Sequence, residues 1–131
     1  MARLQKIAIF TTAIFFIFCM VRGEPNTDEI YYHCNDNKFR YEDPYFESVK
    51  DVTNQVQDQT PSHGYDYYAN SPGPYVCYGH GVCNRGLSTE DCSSCMFAAR
   101  DSILYRCYYS YGAQVQLHDC RIRYEQYPFS E

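Results

Sequence analysis

Residues 83–95 read CNRGLSTEDCSSC, and this stretch decides the fold. Its three cysteines, Cys83, Cys92 and Cys95, are separated by eight and then by two residues, and Ser88 stands between the first two. Ser88 is a typical helix N-cap followed by acidic residues, which predicts a helix that carries Cys92 and Cys95. Cysteines at such short spacings indicate either a disulfide framework or a metal site.

The predicted helix continues beyond Cys95 with apolar residues at helical spacing. One face carries Cys92, Cys95, Met96, Ala99 and Ile103. We therefore expect this helix to dock on the rest of the domain through both thiols and its apolar stripe.

The first residues of the chain indicate which kind of cysteine site applies. Arg3 and Lys6 precede an apolar run at 7–21, and the small residues Val21 and Gly23 follow the pattern of a signal-peptidase cleavage site. The run is 15 residues long, whereas a membrane span needs about 20. We predict a secretory signal peptide at 1–23 and one secreted domain at 24–131.

Removal of the signal peptide changes the charge and the cysteine count. It takes away three basic residues and no acid, which changes the formal charge from −5 to −8, and it removes one of the eight cysteines. An acidic surface disfavours nucleic acid and anionic membranes as partners. In an oxidising compartment, disulfides are favoured over a zinc site or a redox-active Cys92-x2-Cys95 pair. Spacing alone leaves the pairing of the seven cysteines open.

The remaining chain alternates between strand and helix patterns. Asp43-Pro44 predicts the start of a first helix that runs through Gln57 and is ended by Pro61 and Gly64. Strands are predicted at 30–34, at 65–69, at 75–82, around Val115 and Leu117, and from Cys120 through Tyr124. The order β-α-β-β-α-β-β with short connections predicts an α+β fold with an antiparallel sheet.

Residues 78–129 resemble the ginkbilobin-type cysteine-rich antifungal domain of secreted plant proteins. The same module occurs in plant cysteine-rich receptor-like kinases and plasmodesmata-located proteins. The resemblance rests on Tyr78-Gly79, the Cys83-x8-Cys92-x2-Cys95 spacing, the gap of 11 residues before Cys107, and the run GAQVQLHDCRIRYEQ at 112–126. Cys34-Asn35 and the residues 64–67 extend it over nearly the whole mature chain.

The resemblance implies a five-stranded antiparallel sheet packed against two helices. It also implies three disulfides, Cys34–Cys107, Cys83–Cys92 and Cys95–Cys120. Cys77 departs from the family pattern of six cysteines. On the predicted strand, Cys77 shares one face with Tyr75 and Gly79. Its thiol is either a small buried group or an exposed group that links two chains.

The resemblance further implies mannose binding and antifungal activity through an Asn, an Arg and a Glu. The Asn corresponds to Asn35 and the Glu to Glu125, whereas the position of the Arg holds Gln114. We expect Gln114 to weaken sugar binding, because a charge-assisted donor is lost. Arg121 and Arg123 are four and two residues before Glu125, which places all three on the same face of the predicted strand. The arginines either replace the missing cation or pair with Glu125 and occupy it.

The sequence predicts no catalysis, no cofactor and no metal. Ser88, Ser93 and Ser94 lack the context of a nucleophile, and the four histidines show no ligand or triad spacing. Two hypotheses follow. The first is a monomeric lectin, secreted into the plant apoplast, that binds mannose-type glycans of fungal cell walls. The second is an apoplastic interaction or signalling module without sugar activity, one version of which dimerises through Cys77.

Overall fold

The computed structural model describes residues 24–131. The predicted signal peptide at 1–23 lies outside the described residues, and the domain boundary after Gly23 stays a prediction. Within the described part of the chain, no helix has the length and apolar character needed to cross a bilayer.

Five strands and two helices follow each other in the described residues in the predicted order. They are β1 (Glu29–Cys34), α1 (Tyr45–Gln59), β2 (Asp66–Asn70), β3 (Tyr78–Cys83), α2 (Thr89–Arg106), β4 (Ala113–Leu117) and β5 (Cys120–Glu125). The strands form one antiparallel sheet in the order β1-β4-β5-β3-β2. The α+β fold with a five-stranded antiparallel sheet, two helices and three disulfides is therefore confirmed.

The two faces of the sheet differ in the way that strand alternation requires. Val115 and Leu117 on β4, and Ile122 and Tyr124 on β5, are buried against the helices. The Tyr124 hydroxyl donates to the Ser110 carbonyl at 2.8 Å, which satisfies the one polar group of this buried ring. From α2, the core receives the predicted stripe of Cys92, Cys95, Met96, Ala99 and Ile103.

The helices approach the sheet closely over β3 because this strand carries Gly81. A Cβ atom at Gly81 would lie 2.6 Å from Thr60 Oγ1 and 2.8 Å from Met96 Cε, both closer than atoms can pack. Glycine inside a strand usually marks such a close approach. Larger side chains here would push α1 and α2 off the sheet.

Three disulfides join the layers. Cys34–Cys107 ties β1 to the C-cap of α2, Cys83–Cys92 ties β3 to the first turn of α2, and Cys95–Cys120 ties α2 to β5. These are the pairs that the family resemblance implies. Each bond fixes α2, so the second helix is held to three separate strands.

The boundaries of two predicted elements were wrong by more than one residue. The first helix begins at Tyr45, with the Asp43 carboxylate accepting from the Tyr45 N–H at 2.9 Å, and it ends at Gln59 rather than Gln57. The third strand begins at Tyr78 rather than residue 75. The Ser71 hydroxyl accepts from the Cys77 N–H at 2.8 Å, and the Ser71 N–H donates to the Cys77 carbonyl at 2.9 Å. These two bonds close a loop between Ser71 and Cys77, so Cys77 is not part of the hydrogen-bonded strand β3.

The disulfides are expected to differ in their effect on stability. Cys34–Cys107 closes a loop of 73 residues and Cys83–Cys92 a loop of 9. Loop-closure entropy then gives losses of about 4.4 and about 2.6 kcal/mol when each pair is replaced by alanine. Equilibrium unfolding in guanidinium chloride measures both values. A larger loss for the Cys83–Cys92 pair would contradict the entropic ranking.

Candidate functional site

Asn35, Gln114 and Glu125 line one open pocket of about 590 Å³. Asn35 directly follows β1, Gln114 lies on β4, and Glu125 is the last residue of β5. The three strands are neighbours in the sheet, which brings together residues that are up to 90 positions apart in sequence. The pocket thus contains all three residues that the family resemblance singles out.

The Asn35 amide is oriented by local bonds. The Asn35 backbone N–H donates to the Gly112 carbonyl at 2.8 Å, and its side-chain Oδ1 accepts from the Asn37 N–H at 2.9 Å. The second bond is an Asx turn, which leaves the Nδ2 group as the part of the amide that can donate to a ligand. Cys34 next to it is held by the disulfide to Cys107. Asn35 is therefore a fixed donor at the pocket wall.

The pocket has a cation, and it is Arg123. On the outer face of the sheet, Arg123 on β5 lies directly opposite Gln114 on β4. Its Nε donates to Glu125 Oε1 at 3.1 Å, and its Nη1 donates to Glu131 Oε1 at 2.8 Å. Its guanidinium carbon lies 4.2 Å from the ring centroid of Phe129. Arg123 lines the pocket and pairs with Glu125, which is one of the two alternatives that the sequence left open.

The neighbouring carboxylates also raise the pKa of Arg123. Burial acts to lower the pKa of Arg123, but hydrogen bonds to Glu131 and Glu125 outweigh it and hold the pKa above its ordinary value. Arg121 does not line this pocket. Its Nη2 instead pairs with Glu131 Oε2 at 3.0 Å.

Glu131 anchors the 126–131 segment to the outer face of the sheet. Besides the two arginines, its Oε2 lies 2.8 Å from Nδ1 of His80, a residue only 2% exposed. His80 stacks on Tyr68 at 3.9 Å, and its Nε2 faces the Asp66 carboxylate. Burial acts to raise the pKa of Glu131, but hydrogen bonds from Arg123 and His80 and the nearby arginine charges lower it below its ordinary value.

Sequence reasoning missed this anchor. His80 lies on a strand, but its spacing in the sequence gives no sign of a partner, and the 126–131 segment carries no pattern that fixes its course. Tyr127 of the same segment lines the pocket. The sequence indicated Arg123 only through its place on the same strand face as Glu125. It gave no comparable indication for Glu131.

Gly112 keeps the pocket open beside Glu125. A Cβ atom at this position would collide with Glu125 Oε2 and would lie 3.3 Å from the Tyr124 carbonyl. The absence of a side chain therefore gives Glu125 the room in which its carboxylate lies. Substitution of Gly112 by alanine is expected to displace that carboxylate without entering the core.

The Cys77 thiol is buried, as in the first of the two alternatives that the sequence left open, and this disfavours a Cys77-linked dimer. Cys77 is 0% exposed and lies 3.4 Å from the Tyr45 hydroxyl. Burial raises the pKa of this thiol to about 12. A thiol with that pKa and no exposed surface does not reach a second chain unless the core opens.

Comparisons with known proteins agree with the fold and the cysteine pattern. A family model described as "Salt stress response/antifungal" matches residues 33–127, well over half of the chain. The chain belongs to this family. The resemblance noted in the sequence is thereby confirmed.

Two of the similar known proteins are named as antifungal proteins. Antifungal protein ginkbilobin-like protein 1 of Picea sitchensis is 38% identical over 108 residues, which are 80% of this chain and 81% of that protein. Antifungal protein ginkbilobin-2 of Ginkgo biloba is 29% identical over 130 residues, 97% of each chain. Among solved structures, the tandem DUF26 ectodomain of the Arabidopsis thaliana cysteine-rich receptor-like protein PDLP8 matches with a TM-score of 0.74 at 27% identity. That match covers 79% of the present chain and 51% of the tandem ectodomain.

The Glu131 anchor generates a pH-dependent prediction. Because the pKa of Glu131 in the folded protein is lowered from 4.5, its stabilising effect is complete above that value and is lost as the pH falls below it. We expect Glu131→Gln to lower the unfolding midpoint at pH 5, and to lower it by progressively less as the pH falls further below 4.5. Thermal unfolding followed by circular dichroism across this range measures the difference.

Glu42→Gln is the matched control for this experiment, because Glu42 is exposed and its side chain forms no hydrogen bond or salt bridge within residues 24–131. This control should stay close to the unaltered protein at every pH. A Glu131→Gln effect that grows as the pH falls below 4.5 would contradict the anchor.

Proposed function

We propose that this protein is a secreted plant defence protein that inhibits fungi and binds mannose-type glycans of their cell walls. The observation that carries the proposal is the single pocket lined by Asn35, Gln114, Glu125 and Arg123. Membership of the antifungal family supports the defence role. Sugar binding is the finer part of the proposal and rests on the chemistry of the pocket.

A pyranose needs both donors and acceptors, since each of its hydroxyls donates and accepts. Asn35 offers its Nδ2 donors, and Glu125 offers Oε2, because Oε1 already accepts from Arg123. Tyr127, which is half exposed, adds an aromatic face at the pocket wall on which a sugar ring can pack. Asn35 follows the disulfide-bonded Cys34, and Glu125 lies on β5, which the Cys95–Cys120 disulfide ties to α2. These constraints favour binding by reducing the cost of ordering the site.

Gln114 makes this site weaker than that of the family pattern. A hydrogen bond to a charged group contributes about 1.5–3 kcal/mol, against about 1 kcal/mol for a neutral one. The loss of 1–2 kcal/mol corresponds to a roughly 5- to 30-fold lower affinity. Arg123 supplies charge next to Gln114, but two of its nitrogens already donate to Glu125 and Glu131. We propose that Arg123 only partly replaces the missing arginine.

Secretion is the second component of the proposal. The apolar start of the chain supports it, and so do the three disulfides, which persist in oxidising compartments. The related structures are described as ectodomains, which is consistent with the same location. We propose the plant apoplast as the site of action and the monomer as the active form.

The alternative is an interaction or signalling module without sugar activity. The Arg123–Glu125 ion pair favours it, because a pair that satisfies itself offers less to a ligand. This alternative no longer includes a Cys77-linked dimer. It predicts that no sugar binding is detected, whichever residue occupies position 114.

The decisive variants are Gln114→Arg and Gln116→Arg. Both glutamines lie on β4 and point to the same outer face, but only Gln114 lines the pocket. On a glycan array and in calorimetry with mannose, Gln114→Arg should bind roughly 5- to 30-fold more tightly than the unaltered protein. Gln116→Arg adds the same charge and should leave affinity unchanged.

Growth inhibition of fungal hyphae tests the link to defence. Asn35→Ala and Gly112→Ala should both reduce mannose binding and growth inhibition while the unfolding midpoint stays close to that of the unaltered protein. Equal gains from Gln114→Arg and Gln116→Arg, together with unchanged inhibition by Asn35→Ala, would reject the lectin proposal and leave the interaction module.

A further inference from the structure

We propose a second binding site in the apolar cavity between α1 and α2, for a small ligand with one aromatic ring and one carboxylate. The cavity has a volume of about 180 Å³. It shares no lining residue with the pocket of Asn35, Gln114 and Glu125, which we call the glycan pocket. Its apolar wall comes from Phe39, Phe46, Val49, Leu104, Tyr109 and Tyr124. Arg100 and Lys50 are the two cations in the lining.

The size of the cavity indicates one ring. An engineered cavity of about 150 Å³ with an apolar lining stays dry and binds benzene. A cavity of about 180 Å³ therefore holds a single six-membered ring with a small substituent.

The wall offers both edges and faces to an aromatic guest. The ring centroids of Phe46 and Tyr109 are 5.5 Å apart at 82°, and those of Phe39 and Tyr109 are 5.5 Å apart at 55°. Aromatic rings pack at such separations in edge-to-face or tilted arrangements. A guest ring therefore extends an aromatic cluster that is already present.

Arg100 specifies the charge of the ligand. Its Nε is buried and has no acceptor in the described part of the chain, and no carboxylate of residues 24–131 forms a salt bridge with it. Because Nε is fully buried, a ligand would contact the terminal nitrogens of this half-buried side chain. A guanidinium that lines an apolar cavity binds a carboxylate through parallel, charge-assisted hydrogen bonds. The ligand carboxylate would therefore lie against Arg100.

Lys50 has a lesser role at this site. Its Nζ is 2.6 Å from Glu47 Oε1 and 4.7 Å from the ring centroid of Phe46. Its charge is thus already paired, so the unpaired positive charge of the cavity is that of Arg100.

The backbone at Tyr109 is a further feature of a ligand-binding wall. Tyr109 has a φ of +58°, a conformation that side chains other than glycine rarely adopt. Its carbonyl accepts from the Phe39 N–H at 2.9 Å, which holds the strained turn in place. Strained residues held by their surroundings concentrate at ligand clamps and active sites.

The test uses the oxidised protein purified from the culture medium of a secreting host, with benzoate and benzamide as probes. The two probes share the ring, but only benzoate carries a charge. Amide chemical-shift titration should show benzoate binding at the residues that line the cavity and about tenfold weaker binding of benzamide, which lacks the charge-assisted bond. Glycan-pocket residues, Asn35 among them, should not shift.

Arg100→Gln should weaken benzoate binding about tenfold or more and leave benzamide binding nearly unchanged. Arg100→Lys should restore part of the affinity for benzoate. Arg85→Gln is the matched control, because Arg85 is exposed on the loop before α2 and its loss changes the net charge equally. This control should bind benzoate as the unaltered protein does.

Leu104→Phe fills the cavity and should abolish binding of both probes. If this variant fails to fold, the comparison of Arg100→Gln with Arg85→Gln decides alone. Equal benzoate affinity in these two variants, shifts at the glycan pocket instead of the cavity, or no saturable shift at all would each overturn the proposal. Asn35→Ala keeps the cavity intact, so its benzoate binding separates this proposal from the sugar site.

Discussion

The Cys34–Cys107 disulfide is the constraint on which both proposed sites depend. It joins the edge strand β1 to the C-cap of α2 across 73 residues of sequence. On one side of the bond, Asn35 follows Cys34 and enters the open pocket. On the other side, Cys107 and the strained turn at Tyr109 form part of the apolar cavity. An edge strand pairs on one side only, so this covalent bond adds a constraint that its single ladder does not supply.

The outer face of the sheet connects the pocket with the rest of the fold. One row of side chains in register crosses all five strands: His33, Gln114, Arg123, His80 and Tyr68. Arg123 stands at the centre of this row, and Glu131 links it to His80. The charge at the pocket is thus shared with a network that continues towards β2, which is why the ion pair of Arg123 with Glu125 cannot be considered alone.

The sequence predicted those parts of the structure that local patterns control. Ser88 caps α2 as predicted, accepting from the Asp91 N–H at 3.1 Å, and the alternation around Val115 and Ile122 assigns the buried face of β4 and β5 correctly. The predicted start of β3 was wrong because Ser71 binds the Cys77 backbone, a contact between residues of a loop that periodicity does not register.

The residues that line the two sites were harder to predict from the sequence, because tertiary contacts bring them together. Asn35 and Glu125 came from the family resemblance, and no local pattern would have paired them. Arg123 could be proposed from its place on the same strand face as Glu125, but its bond to Glu131 depends on how the 126–131 segment folds back. The unpaired Nε of Arg100 depends on the packing of two helices, which composition and spacing do not reveal.

The most direct test of the account is an amide-resolved NMR titration of the secreted protein with methyl α-D-mannopyranoside. The account predicts saturable shifts at residues 33–37, 112–114 and 123–127, which surround the pocket, together with the side-chain amides of Asn35 and Gln114. The amides of Arg100 and Leu104 at the apolar cavity should not move. Shifts that lie elsewhere, or a spectrum unchanged by the sugar in both the unaltered protein and Gln114→Arg, would contradict it.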